Sequence, residues 1–398
     1  MGHPFGIRSP FGMRSPFGAR DDGLAFLFAG GEEGAWYDPS DLSTLFQDSV
    51  GTTPVTADGD PVGLMLDKSK ALALGAELVT NGDFDTDTTG WAGSSGGSIS
   101  AVAGNLVLEV PAGDNFAEAR YVATVESGKF YKITVDLIEV NVSGTSGARI
   151  SAADSTNLGD TWGVTASNLS PGTHQLIVQA DNTGLALRLF ADNGSGVSDE
   201  TVLWDNVSIR EIAGNHATQS TSAARPVYKT SGGLHWLQFD GVDDFLNIGS
   251  ALDLSPAAGS QVWTQAFGAD SNSDTTYVYV SQRGANTPFI TAANDGSTNT
   301  TIVSNDLTLN NTYVDGNLET PANQGDLHTL LEGRHLGRME ASVPSTSTFD
   351  APQIGQYTTA SFDFSGFIYS YVLVNKALTA SEMSRLDAYQ ARKSGVTL

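Results

Sequence analysis

Apolar and polar residues alternate along most of the chain after residue 23, and this alternation constrains the fold more than any other feature. Two of the clearest runs are Tyr131, Ile133, Val135 and Leu137, and Leu185, Leu187 and Leu189. Clusters of Gly, Asn, Asp and Ser separate such runs, and 44 of the 398 residues are glycine. A period of two between turn-forming clusters predicts strands that pair into antiparallel sandwiches.

One helix is predicted, at the carboxyl end of the chain. Thr379 is followed three residues later by Glu382, which is the spacing of a capping box. Met383, Leu386 and Tyr389 then fall on one face. We expect a short closing helix that packs on a sheet.

Composition excludes several classes of function. The formal net charge is −25, from 45 acidic and 20 basic residues, so nucleic acid is not a predicted partner. The longest apolar run near the start, residues 24–29, is too short for a secretory signal. No stretch approaches the roughly 20 apolar residues of a membrane helix, so membrane insertion is not expected. With no cysteine, the chain has no disulfide and no thiolate metal site.

Residues 1–23 form a segment of their own, in which a Pro-Phe-Gly motif recurs three times at a spacing of six residues between residues 4 and 20. Proline and glycine favour an extended or turn-rich peptide. Evenly spaced phenylalanine and arginine suit repeated pockets and carboxylates on a partner protein, although a disordered tail is the alternative. The predicted docking residues are Phe5, Arg8, Phe11, Arg14, Phe17 and Arg20.

Two segments resemble the first and last strands of galactose-binding-like jelly rolls, as found in many carbohydrate-binding modules. The first is the sequence ELVTNGDF at residues 77–84, followed by Gly90 and Trp91. The second is LWDNVSI at residues 203–209. The resemblance therefore predicts a jelly roll over residues 76–212.

Three other segments resemble concanavalin A-like, laminin-G-like sandwiches. They are LQFDGVDDFL at residues 237–246, YVLVNKALT at 371–379 and AWYDPSDLSTLF at 35–46. Because the jelly roll separates them, this sandwich is predicted to be discontinuous, from residues 24–75 and 213–398. The expected fold is all-β: a jelly-roll sandwich inserted into a concanavalin A-like sandwich, with an extended amino-terminal arm and a short carboxyl-terminal helix.

This combination resembles head spikes and tail fibres of tailed phages and phage-like gene transfer agents. The resemblance implies a virion surface protein, made in the host cytoplasm without a signal peptide, that binds host surface polysaccharide. It also implies docking to another virion protein through residues 1–20, and a homo-oligomer of three or five copies. A purely structural decoration or spacer is the alternative, and a polysaccharide depolymerase is a further one.

Sugar binding requires aromatic planes for pyranose rings and polar groups for hydroxyls. The candidate carbohydrate-binding residues are Trp162, Phe116, Tyr121, Asp160, Arg283 and Asn286. Trp91 and Trp204 belong to the framing strands and are expected in the core. The jelly-roll resemblance implies a structural calcium at Asp83 and Asp205, although six to eight oxygens are needed and only two carboxylates match. No other cofactor is expected, and no catalytic constellation is found, so we predict that the chain is not an enzyme.

Overall fold

The computed structural model describes twelve stretches of the chain. They are residues 23–93, 96–142, 147–165, 167–192, 200–248, 261–271, 277–280, 290–292, 300, 308–343, 353–357 and 362–398. The predicted docking residues of the arm lie outside the described residues, as do Arg283 and Asn286.

Strands dominate the described residues, and their pairings are antiparallel. The strands are β1 Gly34–Tyr37, β2 Leu45–Phe46, β3 Leu64–Met65, β4 Ala92–Gly93, β5 Ser98–Val102, β6 Asn105–Val110, β7 Phe116–Thr124, β8 Phe130–Asn141, β9 Gly147–Asp154, β10 Thr161–Val164, β11 Gly172–Gln179, β12 Gly184–Asp192, β13 Glu200–Glu211, β14 Ala217–Thr218, β15 Val227–Ser231, β16 Leu234–Asp240, β17 Leu246–Ile248, β18 Gln261–Ser271, β19 Tyr277–Val280, β20 Ile290–Ala292, β21 Thr308–Val314, β22 Asn317–Glu319, β23 Gly333–Val343, β24 Gln353–Ile354, β25 Gln356–Tyr357, β26 Phe362–Asp363 and β27 Ser365–Val374. The helices are α1 Gln324–Leu331 and α2 Ala380–Ser394, with 3-10 turns at Ala25–Phe28, Leu42–Thr44 and Ser222–Ala224.

Residues 92–211 contain two five-stranded sheets that pack face to face. The front sheet has the order β10-β9-β12-β7-β4, and the rear sheet has the order β11-β8-β13-β6-β5. Alternate residues of both sheets fill one apolar core, in which Trp204 is fully buried and Trp91 is nearly so. The period-two runs of the sequence thus become the inner faces of a sandwich, as predicted.

The second sandwich is built around an eight-stranded sheet, ordered β15-β16-β27-β18-β23-β21-β22, with β1 also paired to β27. A smaller sheet of order β2-β3-β14-β17-β24 shares a core with it that includes Trp263, Phe239 and Tyr371. Strands β1 to β3 come from before residue 92 and the others from after residue 216. The predicted division into domains stays a prediction.

Helix α2 begins as the sequence predicts. The side chains of Thr379 and Glu382 form the capping box, and Gly395 takes the left-handed conformation after the last turn. Leu386 and Tyr389 pack against strands of the large sheet and against Leu24 and Leu27, which directly follow the arm. The fold class is thereby confirmed as β-sandwiches with a short carboxyl-terminal helix.

The two sandwiches contact each other through a small apolar cluster. Phe46 and Leu66 on one side meet Phe130, Ile177 and Ile212 on the other. The backbone N–H of Ile177 also donates to the carbonyl oxygen of Val50 at 2.7 Å. Within the described residues, no helix is long and apolar enough to cross a membrane.

Candidate functional site

The outer face of the front sheet carries a dense group of arginine, acidic and aromatic side chains. Strand β7 directs its alanines and Tyr121 into the core, so the residues between them point outward. Strands β9 and β12 have the same alternation. We call this surface the arginine face; it consists of Phe116, Glu118, Arg120, Val122, Arg149, Arg188, Phe190 and Asp192.

Phe190 lies at the centre of the arginine face, beneath two guanidinium groups. Cross-strand pairing places it between Arg149 of β9 and Glu118 of β7. The Arg149 Cζ atom lies 3.6 Å from the centroid of the ring, and the Arg188 Cζ atom lies 4.7 Å from it. Both contacts are within the range of cation–π attraction. The two arginines cover the ring, which leaves Phe190 only 2% exposed.

Ion pairs hold the two guanidinium groups in place. Arg188 donates from Nε to Oε1 of Glu118 at 3.0 Å and from Nη2 to Oε2 at 2.7 Å. Arg149 donates from Nε to Oδ2 of Asp192 at 2.8 Å. The bidentate pair fixes both the position and the plane of the Arg188 guanidinium, and the single bond to Asp192 restrains that of Arg149.

Apolar side chains are exposed at the margin of the arginine face. Phe116 is 41% exposed and Val122 is 54% exposed. A neighbouring residue, Val164 of β10, pairs with Ser151 and is also exposed. Rigid polar groups with exposed apolar patches beside them are what a sugar chain requires for hydroxyl and ring contacts.

Of the predicted sugar-binding residues, the structure brings Phe116 to this face. Trp162 is half-buried at the end of the front sheet, where it packs against the core, and Asp160 is exposed nearby. The prediction that Tyr121 binds sugar is wrong. Tyr121 is a core residue whose hydroxyl accepts from the N–H of Thr80 and donates to the carbonyl of Leu78, so its ring offers no surface to a sugar.

Acidic side chains converge at two places in the described part of the chain. Asp154, Asp160 and Asp181 meet near Trp162, and Asp240, Asp243 and Asp244 meet in a turn. Burial and the two neighbouring carboxylates raise the pKa of Asp181. The second group caps backbone N–H groups of its own turn, as Asp240 does for Val242 at 2.8 Å.

The predicted calcium residues, Asp83 and Asp205, are neighbours in space but are not part of a convergent group. Burial, together with the charges of Asp136, Asp83 and Asp85, raises the pKa of Asp205. The side chain of Asn206 connects Asp205 and Asp136 through hydrogen bonds. Carboxylate oxygens are suitable calcium ligands. Among the described residues, however, Asp83 and Asp205 do not belong to a set of three acidic side chains as close together as the two groups above.

Sequence reasoning missed Arg149, Arg188 and Phe190. In strand β12 the leucines point into the core and alternate with Arg188 and Phe190. Phe190 therefore lies on the outer face, where the alternating pattern predicts polar residues. That exception was visible in the sequence. The neighbours that make it a site come from β7 and β9, and strand register cannot be read from one strand alone.

No protein-family model matches the chain, and none of the curated proteins does. Among solved structures, one titled "CBM4 structure and function" matches 33% of this chain and 99% of its own, at 12% identity and a TM-score of 0.28. The tailspike protein 4 enzymatically active domain of bacteriophage CBA120 matches 34% of this chain and 21% of its own, at 14% identity and a TM-score of 0.27. These are weak similarities to a carbohydrate-binding module and a phage tailspike, and scores this low do not transfer a function.

Proposed function

We propose that this chain binds a polysaccharide of the host cell surface through the arginine face. The observation that carries the proposal is the stack of Arg149 and Arg188 on Phe190, held by two carboxylates on a sheet surface whose other side is already a complete core. Buried polar networks on an outer sheet face are not needed for folding, because an apolar or plain polar face would serve as well.

The chemistry of the face suits a sugar chain. Guanidinium groups fixed by carboxylates present N–H donors in a plane, and they can bond to pairs of adjacent hydroxyls. Phe116 and Val122 provide apolar contact for the carbon face of a pyranose ring. Binding at one such exposed site is weak, but several copies on one particle would raise the avidity without new contacts.

The biological setting proposed is the surface of a virion, where the chain serves as a head spike or tail fibre. The support is the sequence resemblance and the arm, residues 1–23, whose repeats would dock to another virion protein. The segment that follows the arm is firmly anchored, because Leu24 and Leu27 are fully buried against α2. A homo-oligomer of three or five copies, made in the host cytoplasm, completes the proposal.

A cation between Asp83 and Asp205 is part of the proposal. Its support is the raised pKa of Asp205, which burial and three neighbouring carboxylates cause. A divalent cation would relieve this repulsion. The role would be structural, at the irregularity within β13 between Asp205 and Ser208, where the Val207 N–H donates to the Gly82 carbonyl of the neighbouring loop at 2.9 Å.

Two variants of the same residue type test the binding face. Val122 on the arginine face and Val102 on the rear sheet are 54% and 55% exposed. Both would be changed to Asp in the full chain, and binding to purified host envelope polysaccharide would be measured by biolayer interferometry. We expect Val122→Asp to weaken binding at least tenfold and Val102→Asp to leave it unchanged.

Equal effects of the two variants on affinity, including no loss in either, would contradict binding at this face. The length of the polysaccharide after incubation is measured in the same samples, since shortening would support the depolymerase alternative. No binding by wild-type chain, alone or in its assembled form, would favour the structural spacer.

A further inference from the structure

The hydrogen-bonding groups of the arginine face are unevenly divided between donors and acceptors. Each guanidinium has five N–H groups. Arg188 donates hydrogen bonds from Nε and Nη2 to Glu118, and Arg149 donates one from Nε to Asp192. Nη1 of Arg188 and both Nη groups of Arg149 lie outside these ion pairs. The two carboxylates of the face are already accepting, so the surface can offer a ligand more donors than acceptors.

Arg120 adds to this excess. It pairs directly across from Arg188 on the neighbouring strand, on the same side of the sheet. Like charges at directly opposed positions are destabilising. In the described part of the chain, the ion pairs of the face join Arg149 to Asp192 and Arg188 to Glu118, and they do not include Arg120.

The charge of the face therefore opposes that of the chain. Three arginines and two carboxylates leave one excess positive charge, while the chain carries −25 overall. A small positive area on a strongly acidic protein gives an anionic ligand one place where the local field favours contact. Neutral sugars would gain nothing from it.

We infer that the ligand of the arginine face is an acidic polysaccharide whose sugar carboxylate binds to Arg120 and Arg188. The inference rests on the proposed function and specifies its ligand as a uronate-type glycan. The carboxylate supplies the acceptor oxygens that the face lacks, and guanidinium–carboxylate bonds are among the stronger polar contacts in proteins. Sugar hydroxyls would contact Arg149, and the apolar side of a neighbouring ring of the same polymer would contact Phe116, which is four residues from Arg120 on β7.

The test compares charged polymers with neutral polymers of the same backbone. Polygalacturonate, alginate and hyaluronan, each beside its carboxyl-reduced form, would be titrated into the full chain at 50 and 300 mM NaCl. We expect binding to at least one acidic polymer, binding weaker by roughly tenfold or more for its reduced form, and a loss of affinity at the higher salt concentration.

Two arginine variants show whether the face is responsible. Arg120→Gln should lower affinity for the acidic polymer by roughly tenfold, the effect of one charge-assisted hydrogen bond, without lowering Tm. Arg210→Gln is the control; Arg210 is on the rear sheet and its side chain is 41% exposed. An unchanged affinity in Arg120→Gln would overturn the inference.

The outcomes separate this inference from the proposed function. If reduced and acidic polymers bind equally and without salt dependence, the carboxylate assignment is wrong, while a loss in Val122→Asp still supports the face as a polysaccharide site. If none of the three acidic polymers binds, the inference is overturned; binding of envelope polysaccharide then decides the proposed function separately.

Discussion

The ion pair between Arg188 and Glu118 gives the sharpest prediction for stability. Glu118 is only 7% exposed, and both of its oxygens accept from Arg188. Removing one partner of a buried pair typically costs 3–5 kcal/mol, because a charge stays buried without its counterion. The Arg188 side chain is 20% exposed, so water can partly replace it. We therefore expect Arg188→Met to lower the free energy of unfolding by about 3 kcal/mol.

The double variant Arg188→Met/Glu118→Leu should recover most of that loss. With both charges gone, the site becomes an apolar sheet face of similar volume, and such exchanges are often neutral. We expect stability within about 1 kcal/mol of the original chain. Polysaccharide binding should nevertheless be lost, because the guanidinium that covers Phe190 is absent. This separates a binding role from a folding role.

Urea unfolding followed by tryptophan fluorescence and far-ultraviolet circular dichroism measures the four members of this cycle. With about 3 kcal/mol lost in Arg188→Met and at most about 1 kcal/mol lost in the double variant, the coupling energy between the two positions should be at least about 2 kcal/mol. A cost below about 1 kcal/mol for Arg188→Met would refute the argument that Glu118 depends on this partner. The argument would also be refuted if the double variant lost as much free energy of unfolding as the two single variants together.

Three further predictions follow from other parts of the chain. Thr379→Ala removes the cap of α2 and should lower stability by about 1 kcal/mol, seen as a lower Tm, whereas Ser381→Ala should not. Burial raises the pKa of Asp38, but Lys393 and Lys68 outweigh it and lower the pKa to about 2; Asp38→Asn should therefore cost about 2 kcal/mol at pH 7, and the difference should fade as pH drops from 4 to 2 in acid unfolding curves. Calcium should raise Tm in the original chain and have a smaller effect in Asp205→Asn; an equal rise in both would count against the site.

The sign of the Asp38 prediction follows from its two ionisation states. Its pKa in the folded chain lies below the value near 3.9 of an unfolded chain, so the charged form is favoured by folding. That contribution is fully present above the unfolded value and disappears as the pH falls through the folded value. Stability that rises as the pH falls from 4 to 2 would contradict the two lysine contacts.

The β-sandwiches and the final helix could be predicted from sequence because their signals are local. The spacing of the leucines in β12 predicts a buried face, and the spacing of Thr379 and Glu382 predicts the start of a helix. Tyr121 shows the limit of this reasoning. An aromatic in a strand can point to either side, and one residue of register decides whether it packs in the core or faces solvent.

The arginine face was not predictable for a related reason. Its members come from three strands, and β9 enters the sheet beside β12 only through the order of the whole front sheet. Arg149 and Phe190 are 41 positions apart in the sequence and adjacent in the sheet. Pairing at such separations depends on the packing of the complete sandwich, which no local pattern encodes.

Protection of the three arginines from chemical modification tests the central claim most directly. The full chain would be treated with phenylglyoxal, with and without bound envelope polysaccharide, and each arginine measured by mass spectrometry. We expect the polysaccharide to protect Arg120, Arg149 and Arg188, while Arg210 on the rear sheet stays equally reactive. Saturating polysaccharide that leaves all three arginines as reactive as before would contradict binding at the arginine face.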